Sequence, residues 1–116
     1  MSYSNQQLQE LAQTDPQELI KIINNHYKTD IKTMALAIEI LGEEVKDEAV
    51  VLPIVRKCLK HVHVLLRESA ILCALSFYTE KSLPEDIVDR LKIIAKNDPS
   101  NDVKDLANAI LKDFGK

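Results

Sequence analysis

The chain has 116 residues, 46% of them hydrophobic and 28% charged, with a formal net charge of -3. This length suits one domain whose core can fold without a disulfide or a metal. The acidic balance argues against a nucleic-acid-binding domain, because such domains usually carry a basic surplus for contacts with phosphate. A local basic face would still be compatible with the composition.

Two cysteines, Cys58 and Cys73, lie in apolar helical segments, where a free thiol commonly behaves as a small buried hydrophobe. They do not imply the disulfide framework of a small secreted protein. The N-terminus shows no charged and then apolar leader, and no apolar run of about 18 residues predicts a membrane span. We therefore expect a cytoplasmic protein.

The N-terminal segment 1–13 is polar and rich in glutamine, with one thin apolar stripe. It predicts either a short helix that covers the open end of the domain or a frayed tail. The first clear helix is predicted over 16–26, because Asp15 can accept free backbone N–H groups and Pro16 suits the first helical position. Glu18 can reach back to complete a capping box at the same place.

The next two helices are predicted over 31–41 and 47–60. Asp30 is placed to cap the first of these, and its apolar residues follow the spacing of one helical face. Gly42 is well placed to end this helix in a left-handed conformation. Pro53 lies inside the following helix, where a proline removes one backbone hydrogen bond and bends the axis.

The most apolar helix is predicted over 63–79, and a helix that is apolar on nearly every side is usually enclosed by its neighbours. A start signal at 82–85 opens the next helix, 84–97, and residues 98–100 separate it from the last helix, 101–114. No segment alternates between apolar and polar residues as a strand does, so the sequence predicts an all-α protein.

Successive helices are predicted to pair as antiparallel hairpins joined by short loops. They divide the single domain 1–116 into three repeats, at 16–42, 47–79 and 84–114. One such hairpin cannot bury its own apolar face, whereas three stacked hairpins can, which is about the minimum for independent stability.

One short pattern supports this division: an apolar residue, then Lys or Arg, then alanine three residues after the basic position. Its copies are separated by steps of 35 and 37 residues, a period typical of stacked-helix solenoids. The three copies are Ile31-Lys32-x-x-Ala35, Leu66-Arg67-x-x-Ala70 and Val103-Lys104-x-x-Ala107.

With these residues the chain resembles the HEAT-repeat proteins, the armadillo-like α-solenoids, over 16–114. The second helix of that family typically opens with valine, arginine and, three residues after the arginine, alanine. An aspartate often stands six residues before the basic position, as Asp98 does in the third copy, whereas His26 and His61 stand there in the other two. Pro53, in the middle repeat, matches the proline that often bends the family's first helix.

The resemblance implies a right-handed α–α superhelix, a solenoid of about three antiparallel HEAT-like repeats. A compact bundle of five or six helices in a ring around one core is the alternative architecture. For function, the resemblance implies a non-catalytic scaffold or adaptor that binds another protein through its second helices. Family analogy adds a small bacterial regulator or a toxin-neutralising, immunity-type binding protein.

A hypothesis from another class is a nucleic-acid-associated protein that uses a basic strip formed by Lys32, Arg67 and Lys104. The competing interpretation of these residues is hydrogen bonding between repeats, because exposed charges contribute little by themselves.

The surplus of apolar residues on helix 63–79 indicates either the lateral packing of a central helix or an apolar patch that grips a partner helix or a second copy of the chain. Ile71, Leu72, Leu75 and Tyr78 are left over once the core is filled. Together with polar residues of the other second helices, the predicted protein-contact residues are Lys32, Leu36, Glu39, Glu68, Leu72, Leu75, Tyr78, Asp105, Asn108 and Lys112.

Motifs that could carry chemistry are weak. The spacing Cys58-x-x-His61-x-His63 brings together a thiol and two imidazoles, which zinc accepts, but no fourth ligand follows nearby. Cys73 has only apolar neighbours in sequence, and Glu68 is expected to point away from Ser69 on the helix. Neither a glycine-rich phosphate loop nor a nucleophile elbow occurs. We therefore predict no enzyme activity, no metal and no cofactor.

Overall fold

A computed structural model describes residues 3–25, 29–79 and 82–115 of the chain. These residues form helices without a strand among them, so the all-α class predicted from the sequence is confirmed. In chain order the helices are α1 (Asn5–Thr14), α2 (Pro16–Asn24), α3 (Ile31–Glu44), α4 (Glu48–Cys58), α5 (Val64–Phe77), α6 (Glu85–Asn97) and α7 (Asn101–Ile110), followed by a π turn (Leu111–Gly115).

Side-chain caps begin several of these helices. Asp15 accepts a hydrogen bond from the N–H of Glu18 at 3.3 Å, and Asp30 accepts one at the start of α3 at 2.8 Å, as the sequence predicts. The capping box itself lies at α1: Ser4 Oγ accepts from the N–H of Gln7, whose side chain accepts from the N–H of Ser4. The capping box predicted at α2 is wrong, because the N–H of Asp15 donates to the carbonyl of Leu11 at 2.7 Å and not to the side chain of Glu18.

The helix ends differ from the predicted ends by a few residues. The last predicted helix, 101–114, is a regular α-helix only to Ile110 and continues as the π turn. Pro53 lies inside α4, as predicted. His26, at the end of the first predicted helix, lies outside the described residues. No helix in the described ranges has the length and apolar character needed to cross a membrane.

Six of the helices pack as three pairs of chain neighbours. The pairs α2 with α3, α4 with α5, and α6 with α7 are each in contact, and α1 lies against α2 and α3. Between pairs, α3 packs extensively on α5, which also contacts α7. Ala35, Ala70 and Ala107, the alanines of the repeated pattern, are buried on these three second helices.

The first helices of the pairs are linked by polar side chains. Lys57 Nζ on α4 donates to Asn24 Oδ1 on α2 at 2.7 Å. Arg56 on α4 forms an exposed ion pair with Asp86 on α6, with Nε 2.6 Å from Oδ2. Single polar bonds thus join α2 to α4 and α4 to α6.

The core is densest around α5. Leu66, Ala70, Ile71, Cys73 and Ala74 have no exposed surface, which agrees with the prediction that neighbours enclose this helix. Burial of each of the larger apolar side chains, such as Leu66 and Ile71, stabilises the fold by roughly 1.5–3 kcal/mol. The apolar stripe of α1 contributes as well, because Leu8 and Ala12 are buried.

Gly42 does not end its helix, contrary to the sequence analysis. Helix α3 continues through Gly42 to Glu44, and Val45 is the residue at its C-terminal boundary. A Cβ atom on Gly42 would lie 2.5 Å from the backbone oxygen of Cys73 and 2.8 Å from its Cα. The glycine is therefore needed for the close crossing of α3 and α5, which its local sequence does not reveal.

Candidate functional site

The predicted contact residues lie on the three second helices and the π turn. Four of them are exposed, namely Lys32, Asp105, Asn108 and Lys112. The remaining ones, which lie on α3 and α5, are half-buried, except for Tyr78. The second-helix surface is defined here as the set of accessible side chains, namely Lys32, Leu36, Glu39, Glu68, Leu72, Leu75, Asp105, Asn108 and Lys112.

Tyr78 is removed from this set because its side chain has no exposed surface. It follows the last residue of α5, so the face count that placed it on the surface no longer applies there. Its hydroxyl donates to Glu48 Oε2 at 2.7 Å, and its ring meets Phe77 edge to face, with centroids 4.9 Å apart. Burial, together with the Glu48 carboxylate, raises the pKa of Tyr78 well above its usual range. Ile71, also assigned to the surplus patch, is buried as well.

The apolar part of the second-helix surface consists of three leucines. Leu36 and Leu75 are half-buried and pack against the core. Leu72 is half-buried too, but it is not among the described side chains that pack against the core. Truncation of Leu72 should therefore leave the interior intact while removing accessible apolar area.

The acidic part of the surface centres on Glu39. Its Oε2 accepts a hydrogen bond from Ser69 Oγ at 3.0 Å, which joins α3 to α5. Burial raises the pKa of Glu39, the bond from Ser69 lowers it, and the charges of Glu43 and Glu68 raise it again, so that the pKa lies above its usual value. The carboxylate is thus held in a position that disfavours its own charge, and an approaching cation would relieve this cost.

The proposed basic strip is interrupted at its middle member. Arg67 Nε donates to Asp98 Oδ1 at 2.7 Å and Nη2 donates to Oδ2 at 3.1 Å, while Nη1 donates to the carbonyl groups of His61 and Val62, each at 2.9 Å. The two side chains are only 11% and 4% exposed. The interpretation as hydrogen bonding between helix pairs is confirmed for Arg67, which therefore has little capacity left for a phosphate backbone.

In the Cys58-x-x-His61-x-His63 spacing, the two histidine side chains form hydrogen bonds in the loop between α4 and α5. His61 Nδ1 accepts from the N–H of His63 at 3.0 Å, and His63 Nδ1 accepts from the N–H of Leu65 at 3.1 Å, capping α5. Across residues 3–25, 29–79 and 82–115, no three histidine, cysteine or acidic side chains are grouped so as to hold a metal ion.

Both thiols are buried, and burial raises the pKa of Cys58 to about 11 and of Cys73 to about 12. At pH 8 only about one Cys58 in a thousand is then a thiolate, which is the reactive form. We expect native protein to react with a thiol-specific disulfide reagent at least about tenfold more slowly than protein unfolded in urea. Comparable rates in the two states would contradict the burial of these cysteines.

No family model matches this chain, and no curated protein or solved structure is significantly similar to it. What supports a function is therefore the chemistry of the described residues themselves.

Proposed function

We propose that this protein is a small non-catalytic adaptor, built from three HEAT-like repeats, that binds another protein through the second-helix surface. The half-buried Leu72 on α5, the helix whose Ser69 also holds the Glu39 carboxylate, is the observation that carries the proposal. Stacked helix pairs commonly present such continuous surfaces to their partners.

Side-chain bonds between successive helix pairs support the tandem arrangement. They join residues 30 to 33 positions apart, close to the period of the repeated pattern. In a stack of similar units, neighbouring units place equivalent positions side by side, so contacts recur at about one repeat length. The four bonded pairs are Asn24 with Lys57, Glu39 with Ser69, Arg56 with Asp86, and Arg67 with Asp98.

The surface indicates the chemistry of its partner. The three leucines suit an apolar helix face, and the carboxylates of Glu39 and Glu68 suit lysine or arginine beside it. A basic amphipathic helix of another protein combines both features. Because the chain is acidic overall, with a formal net charge of -3, long-range attraction would also favour a basic partner.

The proposal is tested by affinity purification from the native source with wild-type protein and a Leu72→Ser/Glu68→Lys variant as baits. Both changes lie on the second-helix surface, and a Glu85→Lys variant on α6 is the matched charge control. We expect a partner that binds the wild type and the control but not the surface variant. A partner retained by the surface variant would refute the assignment of this face, and sizing of the purified protein would identify a second copy of the chain as the partner.

Substitutions of Leu72 and Leu66 distinguish a role in binding from a role in folding. Leu72→Ala should change the free energy of unfolding by less than about 1 kcal/mol, because the side chain lies outside the core. The fully buried Leu66 on the same helix is the control, and Leu66→Ala should cost about 2–5 kcal/mol. Urea denaturation measures both, and a loss at Leu72 as large as that at Leu66 would mean that Leu72 serves packing.

The ionised carboxylate of Glu39 should lower the stability of the fold and favour the binding of a basic partner. Because the pKa of Glu39 is higher in the folded protein, the protonated carboxyl stabilises the fold, and this contribution is complete below pH 4.5, the ordinary pKa. The contribution is lost as the pH rises through the higher native pKa. Glu39→Gln keeps an acceptor for Ser69, so at pH 7 the variant should be more stable by up to about 0.5 kcal/mol, a value reduced for solvent screening.

Denaturation at pH 7 and pH 4 measures this effect, and the difference between Glu39→Gln and wild type should shrink at the lower pH. Glu43→Gln, which alters an exposed carboxylate of the same helix, should change stability less. A Glu39→Gln variant less stable than wild type at pH 7 would contradict the unfavourable placement of the carboxylate.

A further inference from the structure

A second site lies away from the second-helix surface, where the loop after α4 faces the C-terminal half of α6. There a cleft of about 210 Å³ is lined by Lys60, Arg67, Arg90 and Asp98, with Ile93 beside them. None of these residues belongs to the second-helix surface. The cleft collects three permanent cations around one carboxylate, which is unusual in a chain with a net charge of -3.

The guanidinium of Arg90 carries an unsatisfied donor. Its Nε atom is buried and has no hydrogen-bond partner among the described residues. A buried donor on a charged group is costly to leave unpaired, because it loses its contact with water and receives nothing in exchange. An acceptor that is bound in the cleft and reaches this N–H group would remove that cost.

The one carboxylate that lines the cleft, within the described ranges, cannot supply this acceptor. Asp98 already accepts from Arg67 Nε and Nη2 and from the N–H of Ser100 at 3.0 Å. Its charge is balanced by Arg67, which leaves the charges of Lys60 and Arg90 without a counterpart among the lining residues. The cleft thus holds two uncompensated positive charges next to an unpaired N–H group.

We propose that this cleft binds the phosphate group of a small phosphorylated molecule. A phosphate monoester carries a charge of about -1.5 to -2 at neutral pH and three strong acceptor oxygens, which matches two cations better than a singly charged carboxylate does. The volume is below the roughly 300 Å³ at which pockets enclose whole drug-sized ligands, so it suits one anionic group. Ile93, 48% exposed at the rim, offers an apolar contact to the rest of the ester.

The test is a titration of ¹⁵N-labelled protein with inorganic phosphate at constant ionic strength, observed at the Arg90 Nε–H resonance. We expect a saturable shift with a dissociation constant in the millimolar range. Arg90→Gln and Lys60→Gln, followed through neighbouring backbone amides, should each weaken binding at least about tenfold. Lys46→Gln, on the loop after α3, should leave it unchanged.

Acetate and a short DNA duplex separate phosphate from other anions. Acetate at the same ionic strength should bind at least about tenfold more weakly, and the duplex should not displace phosphate. Equal binding of acetate, displacement by the duplex, or no saturable shift by about 50 mM phosphate would each overturn the proposal. So would wild-type affinity in both Arg90→Gln and Lys60→Gln.

A purely structural role of Arg90 makes the opposite prediction about stability. Because the substitution removes a buried N–H that has no acceptor, Arg90→Gln should unfold at the same or a higher urea concentration than wild type when phosphate is absent. The phosphate-dependent increase in that midpoint should appear in wild type and Lys46→Gln only. If Arg90→Gln fails to fold, the premise of an unsatisfied donor is refuted, and Lys60→Gln still tests phosphate binding.

Discussion

Replacing Arg67 by leucine should destabilise the protein by about 3–5 kcal/mol, because it leaves Asp98 as a buried charge without its partner. Asp98 is only 4% exposed, and Arg67 also donates to two backbone carbonyl groups in the loop before α5. The substitution removes all four hydrogen bonds at once. Urea denaturation of the variant measures the effect.

The Arg56–Asp86 pair is the matched control for this experiment. It also joins two successive helix pairs, but its side chains are 48% and 52% exposed. Arg56→Leu should therefore cost no more than about 1 kcal/mol, since water already solvates both charges and screens their attraction. Equal losses in Arg56→Leu and Arg67→Leu would show that burial does not decide the strength of these pairs.

The pH dependence of stability should report Asp98 directly. Burial by itself raises the pKa of Asp98, but hydrogen bonds from Arg67 and Ser100 outweigh it, so the pKa lies below the ordinary value of 3.8. The stabilisation from the ionised carboxylate is present above pH 3.8 and is lost as pH falls through the lower native value. In Arg67→Leu this acid-induced loss should be absent or reversed.

Local chemistry made the helices of this fold predictable. Asp15 and Asp30 cap helices because a short carboxylate reaches free N–H groups two or three residues ahead, a relation written in adjacent residues. The repeated pattern also includes Ala35, Ala70 and Ala107, which are all buried, since it follows residues along one helical face.

Contacts between distant residues could not be predicted in this way. Tyr78 and Glu48 are 30 residues apart, and no local signal shows that one hydroxyl will be buried against the other's carboxylate. The cleft for which we propose phosphate binding was missed for the same reason, because Lys60 and Arg90 come from different helix pairs. The repeat itself held a usable signal, since bonded residues in successive pairs are about 30 positions apart and so are these two.

A side chain at position 42 should destabilise the fold strongly, because its Cβ atom has no room. Gly42→Val should destabilise the fold by about 3 kcal/mol or more, because its Cβ would overlap the backbone of Cys73, 2.5 Å away, and α3 and α5 would have to separate. A flexible side chain could move aside, but backbone inside the most buried helix cannot. Glu43→Val, at the exposed neighbouring position, lowers helix propensity but also removes a charge that disfavours ionised Glu39, so it should change stability by no more than about 0.5 kcal/mol.

A second substitution distinguishes backbone overlap from side-chain crowding at this crossing. The Cβ of residue 42 would also lie 2.9 Å from Cys73 Sγ, which Cys73→Ala removes. Because the carbonyl oxygen and Cα of residue 73 remain in place, Cys73→Ala should not restore the stability of Gly42→Val. Recovery to the stability of Cys73→Ala alone, measured by urea denaturation of the two single variants and the double variant, would mean that only the sulfur obstructs the approach of the two helices.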